Sequence, residues 1–248
     1  MQKRIPEKPI FPYSGTLALV GSGEYLAEMN PVDEYLLGTL QTPPKVICLP
    51  TAAGTEGDAV VNRWMKNGIE HFQSLGADAT ALPVANRNDA NNPAFAQQIQ
   101  EANFVYLSGG KPAYLYSALE KTPVWDAVIS VLKSGGVVAG CSAGAMIWGG
   151  YLLGFPSPTV DNPGFGLLPK AVIVPHFDEI PGPLMKLLYP LARKNLFVGI
   201  EGFTALILSA NKPQVLGHGK VVAWERKRRA EFTQVDTLMW EDILGKTL

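Results

Sequence analysis

A hydroxyl, an imidazole and a carboxylate suited to nucleophilic hydrolysis lie spread through this 248-residue chain. Ser142 stands in Gly140-Cys141-Ser142-Ala143-Gly144, directly after the apolar run Val137-Val138-Ala139. Gly-x-Ser-x-Gly between a strand and a helix is the pattern of a nucleophile elbow, in which small neighbours let the backbone turn sharply and expose the hydroxyl. The next amide, that of Ala143, then points where an oxyanion would form. The same five residues also suit a tight strand-to-helix connection with no chemistry, so the surrounding elements have to decide.

His176 follows the apolar run Ala171-Val172-Ile173-Val174-Pro175. Of the three histidines it is the one at a strand's carboxyl end downstream of the serine, where a general base is needed. Glu201, after Leu196-Phe197-Val198-Gly199-Ile200, is placed to orient the imidazole, or is a solvated loop carboxylate. Gly110, in Ser108-Gly109-Gly110-Lys111-Pro112, supplies a second oxyanion amide or simply an ordinary turn.

These side chains need a scaffold that brings them to one rim. Thr16–Val20, Val46–Pro50, Ala79–Val84, Phe104–Leu107 and Val137–Ala139 read as short apolar strands separated by helical segments near 32–40, 58–71, 93–102, 113–119 and 124–133. Such alternation predicts an α/β fold, a three-layer sandwich whose mostly parallel central sheet is covered on both faces. Ligands then bind beyond the carboxyl ends of the strands, where Gly21, Thr51, Gly110 and Ser142 all fall. A longer elbow helix over 143–152 precedes a proline- and glycine-rich flap at 154–166. The strands continue through Thr204–Ser209 and Val215–Trp224, and the end of the chain, 235–244, is amphipathic. It would pack on the body or on a second copy, as in a homodimer. No repeat or linker interrupts the chain, so residues 1–248 are read as a single domain.

Composition excludes several classes. With 47% apolar and 17% charged residues the chain is globular. A net charge of −1 leaves no electrostatic footprint for nucleic acid or an anionic membrane. No apolar run approaches the roughly 20 residues of a membrane span, and no signal-type segment follows the basic start, so a cytoplasmic protein is expected. The basic run Arg226-Lys227-Arg228-Arg229 reads as a solvated hairpin tip. Cys48 and Cys141 have no metal-ligand spacing. Gly21-Ser22-Gly23-Glu24 lacks the third glycine of a dinucleotide loop and reads as packing or a loop beside the site. His71, late in its helix, suits the negative end of the helix dipole.

Gly140-Cys141-Ser142-Ala143-Gly144-Ala145, then Gly164-Phe165-Gly166-Leu167-Leu168-Pro169 with His176-Phe177, then Gly199-Ile200-Glu201 with Thr204-Ala205-Leu206, resemble the peptidase S51 family of cyanophycinase and dipeptidase E. The likeness runs in order from residue 17 to about 222. It implies a class I glutamine amidotransferase-like (flavodoxin-like) fold with serine at the elbow, and cleavage of a peptide or isopeptide bond in a small peptide without metal or organic cofactor. By the same resemblance Ser142 is the nucleophile, His176 the base and Glu201 the acid, with Asp161 a second candidate for the acid. Gly110 and Ala143 match the oxyanion positions, and Lys111 and Asp178 are candidate substrate-binding residues. After the histidine, where cyanophycinases carry an arginine-rich segment, this chain has Phe177-Asp178-Glu179-Ile180-Pro181-Gly182-Pro183.

Three other readings stay open. An α/β-hydrolase-type esterase would use the order serine, acid, histidine, ending at His218. An ammonia-donating amidotransferase would need a thiol at the elbow's centre, and Cys141 lies one residue early. A binding or sensing protein on the same scaffold needs neither.

Overall fold

The computed structural model describes residues 11–154 and 158–244. The first ten residues of the expected N-terminal arm, and 155–157 of the expected flap, lie outside the described residues. In the first half, strands β1 (Thr16–Val20), β2 (Lys45–Leu49), β3 (Asp78–Ala81), β4 (Phe104–Leu107) and β5 (Val137–Cys141) alternate with helices. The helices are α1 (Asn30–Gly38), α2 (Asp58–Ser74), α3 (Arg87–Ala90), α4 (Pro93–Gln100), α5 (Pro112–Leu119) and α6 (Pro123–Lys133). Local chemistry fixes several starts. Thr122 caps α6 by accepting the Trp125 N–H, Asn92 caps α4, and each is followed by a proline at the first helical position. Asn86 and Asp89 form a reciprocal capping box on α3.

After Ser142 come α7 (Ala143–Met146), β6 (Gly149–Leu152), β7 (Asn162–Pro163), β8 (Leu168–Val174), α8 (Gly182–Ala192) and β9 (Leu196–Ile200). The chain closes with β10 (Thr204–Leu208), β11 (Gln214–Gly217), β12 (Val221–Glu225), β13 (Arg228–Phe232) and α9 (Trp240–Leu244).

The central sheet has the order β11-β10-β1-β5-β4-β2-β3. Its five first-half strands are mutually parallel, and β10 and β11 join antiparallel at one edge. Register aligns the functional ends: Val20 is opposite Cys141, Gly140 opposite Leu107, and Leu107 opposite Leu49. The loops at Gly21, Thr51, Gly109 and Ser142 therefore leave one edge together. On one face α1 and α2 pack Leu36 and Phe72 against Val20, Cys48 and Tyr106. On the other, Val128 and Leu132 of α6 meet Val105 and Val138, in a core continuous with Val172 and Val198. Each fully buried aliphatic side chain contributes about 1.5–3 kcal/mol, so both faces hold the sheet.

The second half departs from expectation. Apart from β10 and β11, its strands form a separate six-stranded sheet, β13-β12-β9-β8-β6-β7. The elbow helix is one turn, not ten residues, and the chain soon enters β6, where Gly149 pairs with Leu168 and Tyr151 with Val172 of β8. A Cβ on Gly150 would lie 2.0 Å from the Pro169 carbonyl oxygen, so only glycine permits that approach. The basic run forms the β12–β13 hairpin, with Glu225 opposite Arg228. The C-terminal segment packs on its own chain: Leu238, Trp240 and Ile243 are buried, and Trp240 stacks on Phe11 and donates to the Asn211 carbonyl at 2.9 Å. No helix among the described residues is long and apolar enough to cross a membrane.

Candidate active site

Ser142 follows the fully buried end of β5 with φ 51° and ψ −110°, a conformation that costs a non-glycine residue about 1–3 kcal/mol. Its neighbours show why they must be small. A Cβ on Gly140 would stand 2.2 Å from the Gly144 carbonyl oxygen, and one on Gly144 would stand 2.3 Å from that of Leu107. The turn drives straight into α7, where the Ala145 and Met146 amides both donate to the Ser142 carbonyl at 3.0 Å. The Ala143 N–H, in the first turn, has no carbonyl four residues back to bond.

His176 stands past the end of β8, in the second sheet, also at positive φ (51°). Its Nε2 lies 3.2 Å from Ser142 Oγ, and its Nδ1 lies 3.1 Å from Glu179 Oε2, one 3₁₀ turn further on. An Nδ1–H donating to Glu179 leaves the Nε2 lone pair to accept the serine proton. Hydroxyl and imidazole thus come from different sheets, not from one rim.

Glu201 follows β9, and its carboxylate accepts the Lys220 N–H at 2.9 Å. The carboxylate hydrogen-bonded to His176 is Glu179. Asp161 is exposed beside β7. Asp178 accepts the Gly202 N–H at 2.8 Å, tying the turn after His176 to the loop after β9. His218 is exposed in the β11–β12 turn, its N–H on the Phe203 carbonyl, while the hydroxyl is engaged by His176. His71, in the last turn of α2, is buried and bonded to Asp33 at 2.8 Å on the α1–α2 face.

Gly110 has φ 144°, and a Cβ there would lie 2.5 Å from the Ala52 carbonyl. The flanking amides are occupied: Gly109 N–H donates to Glu24 Oε1 at 3.0 Å and Lys111 N–H to Ala52 at 2.9 Å. Among the described residues the Gly110 N–H has no protein acceptor, and Gly110 lines the same cavity as Ser142. The Lys111 side chain is exposed and does not line it.

Two residues at the site carry no motif. Glu24, after the glycines of β1, accepts from Gly109 with one oxygen and from the Cys141 thiol with the other, at 2.8 Å. Burial and the nearby Glu24 carboxylate push the Cys141 thiol well above the ordinary thiol range, so it stays protonated and points inward. Glu179 was legible only as a carboxylate three residues past a histidine, the reach of a single tight turn.

The cavity beside Ser142 and His176 is about 350 Å³. A larger open one, about 850 Å³, lies elsewhere between α8 and the β12–β13 hairpin and shares no lining residue with it. Ser142 and His176 both line the smaller cavity, so that is where acyl chemistry fits.

Residues 17–209 match the model of peptidase family S51. A solved structure of a peptidase from an acI-B1 actinobacterium is 32% identical, with a TM-score of 0.82, over 92% of this chain and 98% of that one. A cyanophycinase from Geminocystis herdmanii is 23% identical over 71% of this chain and 68% of its own length. A cyanophycinase from Trichormus variabilis is 26% identical over 62% of this chain, which spans 55% of that relative.

Proposed function

The chain belongs to peptidase family S51, and from that premise we propose that it is a serine peptidase cleaving a peptide or isopeptide bond of a small peptide through an acyl-enzyme. The observation that carries this reading is the 3.2 Å approach of His176 Nε2 to Ser142 Oγ, at a strained elbow opening on a cavity. As Oγ bonds to the substrate carbonyl carbon, Nε2 takes the hydroxyl proton. The carbonyl oxygen becomes an oxyanion facing the Ala143 and Gly110 amides, each such donor being worth about 3 kcal/mol in related chemistry. The C–N bond then breaks and the leaving amine takes the proton from Nε2. Water next gives a proton to His176 and attacks the ester carbon, and the proton returns to Oγ as the acid departs.

In this scheme Glu179 holds the imidazole tautomer. Its exposed position makes it a weaker orienting group than a buried triad acid. Glu201 and Asp178 are positioning residues: they brace the loop after β9 and the turn that carries His176.

Hydrolysis of a dipeptide and isopeptide panel by the wild-type protein and by Ser142→Ala and His176→Ala tests the proposal. Amine release by the wild type and its loss in both variants is expected. Unchanged release in Ser142→Ala would remove the reading.

A further inference from the structure

We infer that the cavity at Ser142 selects substrates whose scissile carbonyl belongs to a residue with an uncharged aliphatic side chain. This rests on the serine-peptidase reading and specifies what that site accepts. Met146 lies one turn beyond Ser142 on α7, so the wall begins beside the reacting hydroxyl. Met146, Leu153 and Val174 form that wall and are all but fully buried, at 5%, 2% and 2% exposure. Ile180 and Leu184 complete it as a half-buried rim.

Charge complementarity points the same way. The ionisable side chains lining the cavity are His176 and Glu179, and they are bonded to each other at 3.1 Å. Among the described residues, no lysine or arginine lines it. A substrate carboxylate there would lose its water, meet Glu179 as a like charge and find no cation. A substrate ammonium or guanidinium would find one carboxylate, Glu179, which is already bonded to the imidazole it orients and more than half exposed to water. An alkyl side chain has no hydrogen-bonded water to give up and buries its surface against that apolar wall. At about 350 Å³ the cavity is at the small end of ligand sites, which run to roughly 300–1,000 Å³, so it suits one side chain with its scissile bond.

The test compares dipeptides X-Leu with X as Leu, Met, Ala, Asn, Asp or Lys, alongside two inhibitors that address the serine directly, 3-methylbutylboronic acid and 2-carboxyethylboronic acid. Fluorophosphonate labelling of wild type and Ser142→Ala runs in parallel. We expect kcat/KM for Leu or Met to exceed that for Asp by roughly 10- to 100-fold, with the alkyl boronate binding tighter by a similar factor. Leu184→Arg, which sets a cation on the half-buried rim, should shrink the Leu-over-Asp ratio by about 10-fold or more. Labelling of Ser142 combined with a preference for Asp or Lys would overturn the cavity's role and leave the hydrolase standing. Absence of labelling, of boronate binding and of cleavage would overturn both.

Discussion

The Glu24 carboxylate reaches the Cys141 thiol at 2.8 Å and, with its other oxygen, the Gly109 amide at 3.0 Å. One side chain from the end of β1 therefore clamps the nucleophile strand to the loop that presents Gly110. The approach is close enough that a Cβ on Gly109 would lie 2.8 Å from Glu24 Oε1 and 3.3 Å from Ser142 Cβ.

Removing that clamp should hurt turnover more than substrate capture. Glu24→Ala leaves an amide and a buried thiol without an acceptor, at about 1–3 kcal/mol each. We expect kcat to fall roughly 10- to 100-fold with KM little changed, and the melting temperature to drop. Glu24→Gln, which keeps one carbonyl acceptor, should fall between. Steady-state kinetics and thermal unfolding of both variants provide the check.

Glu179 and Glu201 should separate cleanly. The Glu179 side chain is 59% exposed, and exposed pairs contribute about 0–1 kcal/mol, so Glu179→Gln should lower kcat by no more than about 10-fold. Glu201→Gln, whose carboxylate serves the Lys220 amide, should change kcat/KM by about 2-fold or less. A loss above about 100-fold in Glu201→Gln, with Glu179→Gln intact, would make Glu201 the acid that orients His176.

At the elbow, Gly144→Ala places a methyl 2.3 Å from a backbone carbonyl that has no freedom to retreat within the sheet. A destabilisation of at least about 3 kcal/mol, or failure to fold, is the expected outcome in urea unfolding. Gly182→Ala, whose Cβ meets nothing within 4 Å, is the matched control at a helix start.

Stability should decline on the alkaline side. Burial pushes the Cys48 thiol up to about 12 and raises Cys141, Tyr25 and Tyr106 well above their ordinary values. Below about pH 9 a thiol is protonated in both folded and unfolded chains and confers no pH dependence. Above it the unfolded chain releases a proton that the fold retains, so each such group costs about 1.4 kcal/mol per pH unit until its folded value is reached. Unfolding free energies between pH 8 and 11 should fall, and less steeply in Cys48→Ala.

Much of this was legible in the residues because the first half obeys simple rules. Thr16–Val20, Phe104–Leu107 and Val137–Cys141 are buried on both faces and so read as unbroken apolar runs. Ser142 and Gly110 were findable because a sharp turn demands small residues at fixed spacing. The second half was harder. Gly149-Gly150 disfavours a helix but has no strand propensity either, and only the neighbouring β8 makes it a strand, which local sequence does not contain. Asn162–Pro163 is two residues long, below any periodicity. Glu24 lies just past the end of β1, 117 residues before Cys141, and its role exists only because β1 and β5 are neighbours in register.

The hydroxyl of Ser142 is the centre of the account, and covalent trapping tests it most directly. Treatment of the native protein with a fluorophosphonate, followed by intact-mass and peptide mapping, should give a single adduct on Ser142 that vanishes in Ser142→Ala and weakens sharply in His176→Ala. An adduct retained in Ser142→Ala, or no adduct on the folded wild-type protein, would contradict it.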